Sequence, residues 1–71
     1  MSSVFIEDGI GIEIHNFEGS KNNLMVYLPD QEKTYFLTPD NYHYQLQSIK
    51  CRWTEQIEKA IVKFLNQKEA V

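Results

Sequence analysis

The side chains best suited to catalysis or metal binding are two histidines and one cysteine, His15, His43 and Cys51. Zinc sites need several such ligands at short, regular spacings, and neither histidine has a second histidine four residues away. Cys51 could act as a nucleophile beside a histidine, but the sequence shows no third group to orient that histidine and no oxyanion loop. The pattern therefore predicts no metal, no cofactor and no catalytic residue.

Carboxylates and glycines lead to the same conclusion. The acidic residues of positions 1–40 lie mostly at predicted turns or at outward positions of predicted strands, where they serve solubility and single out no general acid and base pair. The glycines at positions 9, 11 and 19 match neither the dinucleotide-binding nor the P-loop fingerprint. We therefore expect a protein that is not an enzyme, and no small-molecule substrate is indicated.

Length and composition indicate one small folded domain over residues 1–71, with 42% hydrophobic residues. Ten acidic against seven basic residues give a formal charge of −3, which argues against general binding to a polyanion. A single cysteine cannot form an internal disulfide, so a reducing, cytoplasmic compartment is expected. The sequence shows neither a membrane span nor a signal peptide, and no membrane partner is expected.

Residues 3–15 carry the clearest local signal, two runs rich in β-branched residues separated by Asp8-Gly9. This dipeptide suits a two-residue type I′ turn, which needs a positive φ at both positions. The turn sets Glu7 opposite Ile10, so that one face of the hairpin carries the predicted core. That face consists of Phe5, Ile10, Ile12 and Ile14.

Two further strands are predicted at residues 24–28 and 34–38, joined by turn residues that begin with Pro29. Residues 16–23, rich in Asn, Gly and Ser, are expected to form the loop before them. The first half of the chain is thus predicted to be a four-stranded antiparallel meander.

The second half predicts one long helix over residues 39–67, with Thr38 as N-cap and Pro39 at the first helical position. Its apolar residues recur with a 3.6-residue period and no Gly or Pro interrupts them. They are Tyr42, Leu46, Ile49, Trp53, Ile57, Ala60, Ile61 and Phe64. An alternative makes residues 42–48 a fifth strand and begins the helix at about residue 53.

Such a helix would be roughly 43 Å long, whereas a compact chain of this size has a radius of gyration of about 11 Å. The helix would overhang its sheet, and a partner would have to cover the excess apolar stripe. We expect this partner to be a second copy of the chain, a different protein, or both. The predicted interface consists of Tyr42, Tyr44, Leu46, Ile49 and Trp53. A bend between residues 48 and 52 is the alternative that needs no partner.

A basic ridge on the same helix suggests a second class of partner. Arg52, Lys59 and Lys63 recur with Gln56 and Asn66 at helical spacing and could follow a phosphate backbone. Glu55 lies four residues before Lys59 and offsets its charge, as on an ordinary solvated helix face. Nucleic-acid binding through these three basic residues is therefore the alternative function.

The sequence as a whole predicts an α+β domain with a four-stranded meander and one long C-terminal helix packed on it. Its expected function is non-catalytic, as a small cytoplasmic protein that dimerises, binds a partner protein, or does both. Adaptors, inhibitors and small phage or mobile-element proteins share this size and this lack of catalytic machinery, which is an analogy of class.

Overall fold

A computed structural model describes residues 2–17 and 23–69, and it confirms the α+β class and the four-stranded antiparallel meander. The strands lie side by side in chain order. They are β1 (Ser2–Glu7), β2 (Ile10–Asn16), β3 (Leu24–Leu28) and β4 (Lys33–Leu37), with a short 3-10 turn at Pro29–Gln31 between the last two. Two helices follow, α1 (Tyr42–Ser48) and α2 (Thr54–Glu69). Most of the predicted loop at residues 16–23 lies outside the described residues.

The β1–β2 hairpin has the predicted register. Asp8 and Gly9 have φ values of 52° and 80°, as a type I′ turn requires. Across the hairpin the paired residues are Ser3 with Ile14, Phe5 with Ile12 and Glu7 with Ile10. A slip of one residue would have exchanged the two faces, so the turn determines which side chains enter the core.

Both faces of the sheet are apolar in part, but within residues 2–17 and 23–69 only one of them is covered by helices. The covered inner face and the helices share a single core, in which α2 packs on β1 and β2 and also contacts α1. The core residues are Ile12, Ile14, Leu24, Val26, Leu28, Leu37, Leu46, Ile57, Ala60, Ile61 and Phe64. The uncovered outer face carries the alternate residues of the strands, among which Val4 and Ile6 on β1 are 70% and 73% exposed.

The prediction of one helix over residues 39–67 is wrong, because the chain breaks at residues 49–53 and the helix begins only at Tyr42. Thr38 is not the N-cap: the Asn41 amide donates to the Thr38 carbonyl at 3.2 Å, which forms a turn before the helix. Asn41 occupies the N-cap position instead, where its carbonyl accepts from the Gln45 amide at 3.0 Å and its side chain makes no capping hydrogen bond. The alternative of a fifth strand at residues 42–48 is also wrong, whereas a bend after Ser48 is what the structure contains.

The end of α1 is a Schellman motif with a lysine in the position that glycine usually takes. The Lys50 amide donates to the Gln47 carbonyl at 3.0 Å, and the Cys51 amide donates to the Leu46 carbonyl at 3.1 Å. Lys50 has a φ of 53°, in the left-handed region. Cys51 then packs against the core, which supplies the hydrophobic contact of the motif. The chain therefore stops its helix without Gly or Pro.

We expect Lys50→Gly to stabilise the fold by about 0.5–1 kcal/mol. A left-handed φ costs a residue with a Cβ roughly 1–2 kcal/mol, and the larger unfolded-state entropy of glycine cancels part of the gain. Ser48→Gly is the control, because glycine at a helical position of α1 should destabilise slightly, by about 0.5 kcal/mol or less. Urea unfolding at equal m-value measures both, and a Lys50→Gly variant less stable than the natural chain would contradict the assignment.

The break removes the overhang that motivated the predicted helix-borne interface. The 16 residues of α2 span about 24 Å, which fits within the largest dimension of 30 Å, whereas 43 Å would not. The apolar stripe folds back on itself, so Leu46, Ile57 and Phe64 reach one core. Neither described helix is long and apolar enough to cross a membrane.

Candidate interaction surface

The five residues of the predicted interface separate into three groups in the structure. Leu46 is completely buried and belongs to the core. Tyr42 and Trp53 are half-buried and pack against that core from its margin. Tyr44 and Ile49 remain 67% and 55% exposed. Only this last pair presents apolar surface to a partner.

Tyr44 and Ile49 line one wall of a groove between α1 and β4, with a volume of about 480 Å³. Phe36, which projects from the outer side of β4 and is 59% exposed, lines the opposite wall together with Thr34. Ile49 is the C-cap residue of α1 and immediately precedes the left-handed Lys50 that ends the helix. One end of the groove therefore lies at the helix break.

Two contacts hold α1 and the following turn beside β4. The Gln45 side-chain oxygen accepts from the Thr38 amide at 2.9 Å and lies 3.4 Å from the Thr38 hydroxyl, which joins α1 to the end of the strand. Tyr35 of β4 lies beside Cys51 in the turn after α1. Burial, and after it the neighbouring Cys51 side chain, raises the pKa of the Tyr35 hydroxyl to about 12. The groove therefore has both ends tied to the strand.

β4 is a terminal strand of the sheet and, among the described residues, it pairs only with β3. Its outer edge has main-chain donors and acceptors that an added strand can use. Phe36 was not predicted to be a surface residue. The alternation of strand residues 34–38 is the signal that could have found it, because it sets Phe36 opposite in direction to Tyr35 and Leu37.

The predicted basic ridge lies against the β1–β2 hairpin, where acidic side chains meet it. Lys63 Nζ lies 2.6 Å from Glu7 Oε2, and the Glu7 side chain is only 9% exposed. Lys59 Nζ lies 3.8 Å from Asp8 and 3.5 Å from Glu55. Glu7 was expected to be a solubility residue, but its register with Ile10 turns it inward. The two lysines thus have partners within the chain.

Arg52 does not continue that ridge. It lies in the turn before α2, and its guanidinium carbon is 5.9 Å from the centre of the Trp53 ring, which is a cation–π distance. Gln56 of α2 donates to Asp8 at 3.0 Å, so it also contributes to hairpin contacts. The structure therefore does not gather the three basic residues into one free positive surface.

The histidines contact glutamates on two different parts of the molecule. His43 Nδ1 contacts Glu58 and links α1 to α2, while His15 Nε2 lies 3.5 Å from Glu13 on the outer face. In residues 2–17 and 23–69, no three His, Cys, Asp or Glu side chains are grouped so that they could hold a metal ion. Cys51 is a free, half-buried thiol.

Comparison of the chain with protein-family models, curated proteins and solved structures gives no match. The geometry of the groove and its surroundings is therefore the basis of the proposed function.

Proposed function

We propose that this chain is a non-catalytic protein-interaction module that binds an extended segment of a partner protein along β4 and its groove. The observation that carries the proposal is the convergence of three exposed apolar side chains, Phe36, Tyr44 and Ile49, beside a strand edge that no other described strand pairs with. Strand addition supplies main-chain hydrogen bonds, and pockets for alternate side chains supply specificity. Tyrosine and phenylalanine are also common anchors of protein interfaces.

The size of the groove limits the strength and the chemistry of the complex. About 480 Å³ is within the range of roughly 300–1,000 Å³ of ligand pockets, so the groove accommodates a few apolar side chains of one short segment. Burying the three exposed side chains would contribute about 1.5–3 kcal/mol each at complete burial, and less from their partly buried state. An interface this small falls in the weak, transient class. Because the partner segment pairs with β4 as an added strand, it is extended and directs alternate, apolar side chains into the groove.

The cellular role proposed with this surface is that of an adaptor or inhibitor. A reducing, cytoplasmic setting is part of the proposal, supported by the free thiol of the single cysteine. Nucleic-acid binding is the weaker alternative, because Lys59 and Lys63 already have acidic partners.

A display selection of random peptides against the purified chain tests the proposal. We expect enriched peptides with alternating apolar residues, whose binding shifts the amide resonances of β4 and α1. Phe36→Ser, Tyr44→Ala and Ile49→Ser should each weaken binding of a selected peptide about tenfold, which corresponds to about 1.4 kcal/mol. Val62→Ser is the matched control, because Val62 is an exposed apolar residue on α2 outside the groove.

Two outcomes would contradict the proposal. One is a set of selected peptides whose affinity is unchanged by all three groove substitutions. The other is tight binding of duplex or single-stranded nucleic acid that weakens steeply between low and moderate salt, as phosphate contacts must. That result would support the alternative, and Lys59→Ala and Lys63→Ala would then reduce the salt slope.

A further inference from the structure

The opposite edge of the sheet is open as well, and it carries the two most exposed large apolar side chains described. β1 is the other terminal strand, and among the described residues it pairs only with β2. Val4 and Ile6 project from its outer face and are 70% and 73% exposed. Edge strands usually carry lysine, proline or a bulge that prevents pairing with another chain. The β1 sequence, SSVFIE, has neither lysine nor proline, and its pairing with β2 has no bulge.

This strand is complementary to itself. In an antiparallel pair, residues directly opposite each other share a face, so β1 can pair with a second β1 only in registers that match outer with outer positions. The register centred on Phe5 sets Val4 opposite Ile6 of the second copy, and Ile6 opposite Val4 of the second copy. The four β-branched side chains then form one apolar cluster on the outer face, the kind of cross-strand contact that stabilises a sheet.

The charges at the end of β1 permit this pairing. In the register centred on Phe5, Glu7 faces Ser3 of the second copy and Asp8 faces Ser2, so no like charges meet. Glu7 is also neutralised by Lys63 within its own chain. The Glu7 residues of the two copies would be separated by four residues along the strand and by one strand spacing, a distance of roughly 14 Å. This distance exceeds the electrostatic screening length of about 8 Å at physiological salt.

We propose that two copies of this chain associate through β1 about a two-fold axis at Phe5, forming one continuous eight-stranded sheet. A two-fold interface uses the same patch on both subunits, which is what the self-complementary register provides. A six-residue strand pair buries less than a standard interface, so the dimer is weak and depends on concentration. The inference is independent of the proposed function, since the β4 grooves remain free at the two ends of the sheet.

Sedimentation analysis over a concentration series from about 10 μM to about 1 mM tests the dimer. We expect the natural chain to shift from monomer to dimer within this range. The double variant V4K/I6K, with four lysines in the cluster, should remain monomeric throughout. The double variant V4K/I6E should recover the dimer to within about tenfold of the natural affinity, because lysine then faces glutamate of the second copy in both pairs.

The V4K/I6E variant also tests the register of the strand pair. If Val4 faced Val4 of the second copy, V4K/I6E would place lysine opposite lysine and would not recover the dimer. V4T/I6T keeps β-branched strand residues and should weaken the dimer about tenfold without unfolding, as circular dichroism verifies. Phe36→Lys, on the same face at the β4 edge, is the control that should leave the dimer intact.

Three results would overturn the inference. A natural chain that is monomeric at about 1 mM excludes the dimer at any useful strength. A dimer that V4K/I6K leaves intact uses another surface. A dimer that Phe36→Lys disrupts, while V4K/I6K does not, uses the β4 edge instead.

Discussion

Leu46→Ala should lower the free energy of unfolding by about 2–5 kcal/mol, the usual cost of removing a buried leucine side chain and leaving a cavity. Leu46 is the one buried residue of α1, and it reaches the same core as Phe64 of α2. A domain of this length has a total stability of roughly 4–10 kcal/mol. The substitution is therefore expected to remove a large share of the stability, as urea unfolding will measure.

The site of the loss can be tested as well as its size. Native-state hydrogen exchange of Leu46→Ala should show the α1 amides losing protection before those of the sheet, because no other α1 side chain is completely buried. Gln47→Ala, one residue further on the exposed face, is the control and should change stability by less than about 0.5 kcal/mol. Equal costs for the two substitutions would mean that α1 does not dock through Leu46.

Lys63→Met is expected to cost about 2–3 kcal/mol, because it leaves the Glu7 carboxylate buried without its partner. This value lies below the 3–5 kcal/mol range for a wholly buried pair, since the Lys63 side chain is 57% exposed and solvent screens part of the interaction. Glu7→Leu combined with Lys63→Met removes both charges and should be close to the natural stability. The double-mutant cycle therefore predicts strong coupling between these two residues.

Lys59→Met is the matched control for this cycle. Lys59 also pairs with an acidic residue of the hairpin, but both it and Asp8 are about half exposed, and their atoms are 3.8 Å apart. An exposed pair of this kind contributes about 0–1 kcal/mol. If Lys63→Met cost no more than Lys59→Met, the burial of Glu7 would have no energetic consequence, which would contradict the predicted coupling.

The sheet could be predicted from the sequence because its signals are local. Asp8-Gly9 determines the turn, the turn determines the register, and alternation assigns Ile12 and Ile14 to the core. For Glu7, the local sequence signals were not sufficient. Its register with Ile10 was predicted correctly and directs it inward, yet its pairing with Lys63 depends on a residue that lies 56 positions further along the chain.

The break between the helices could not be read from composition, because it depends on a residue that rarely occupies its conformation. Lys50 takes a left-handed φ that sequence reasoning assigns to Gly or Asn. The uninterrupted apolar period then favoured one helix, since Leu46 and Ile57 satisfy the same period on either side of the break. The predicted helix was too long for a compact chain of this size, and a bend was the alternative that this length suggested.

The candidate surface was predicted only in part. Tyr44 and Ile49 were assigned to the predicted interface together with Tyr42, Leu46 and Trp53, on the expectation of one long apolar stripe. Folding the stripe back buries Leu46 and leaves Ile49 outside. The groove lies between Ile49 and Phe36, which come from distant segments of the chain, and no spacing rule brings such segments together.

The order of the strands has a consequence for the kinetics of folding. Each strand pairs with its neighbour in sequence, so the meander closes only short loops, and single hairpins form in microseconds. Helix α2 contacts β1 through residue pairs separated by 56 and 64 positions. The docking of α2 therefore costs more loop-closure entropy than the pairing of neighbouring strands. The slow step is therefore the docking of α2. On the ribosome, the meander is made first, and its inner face remains open to chaperones until α2 has emerged.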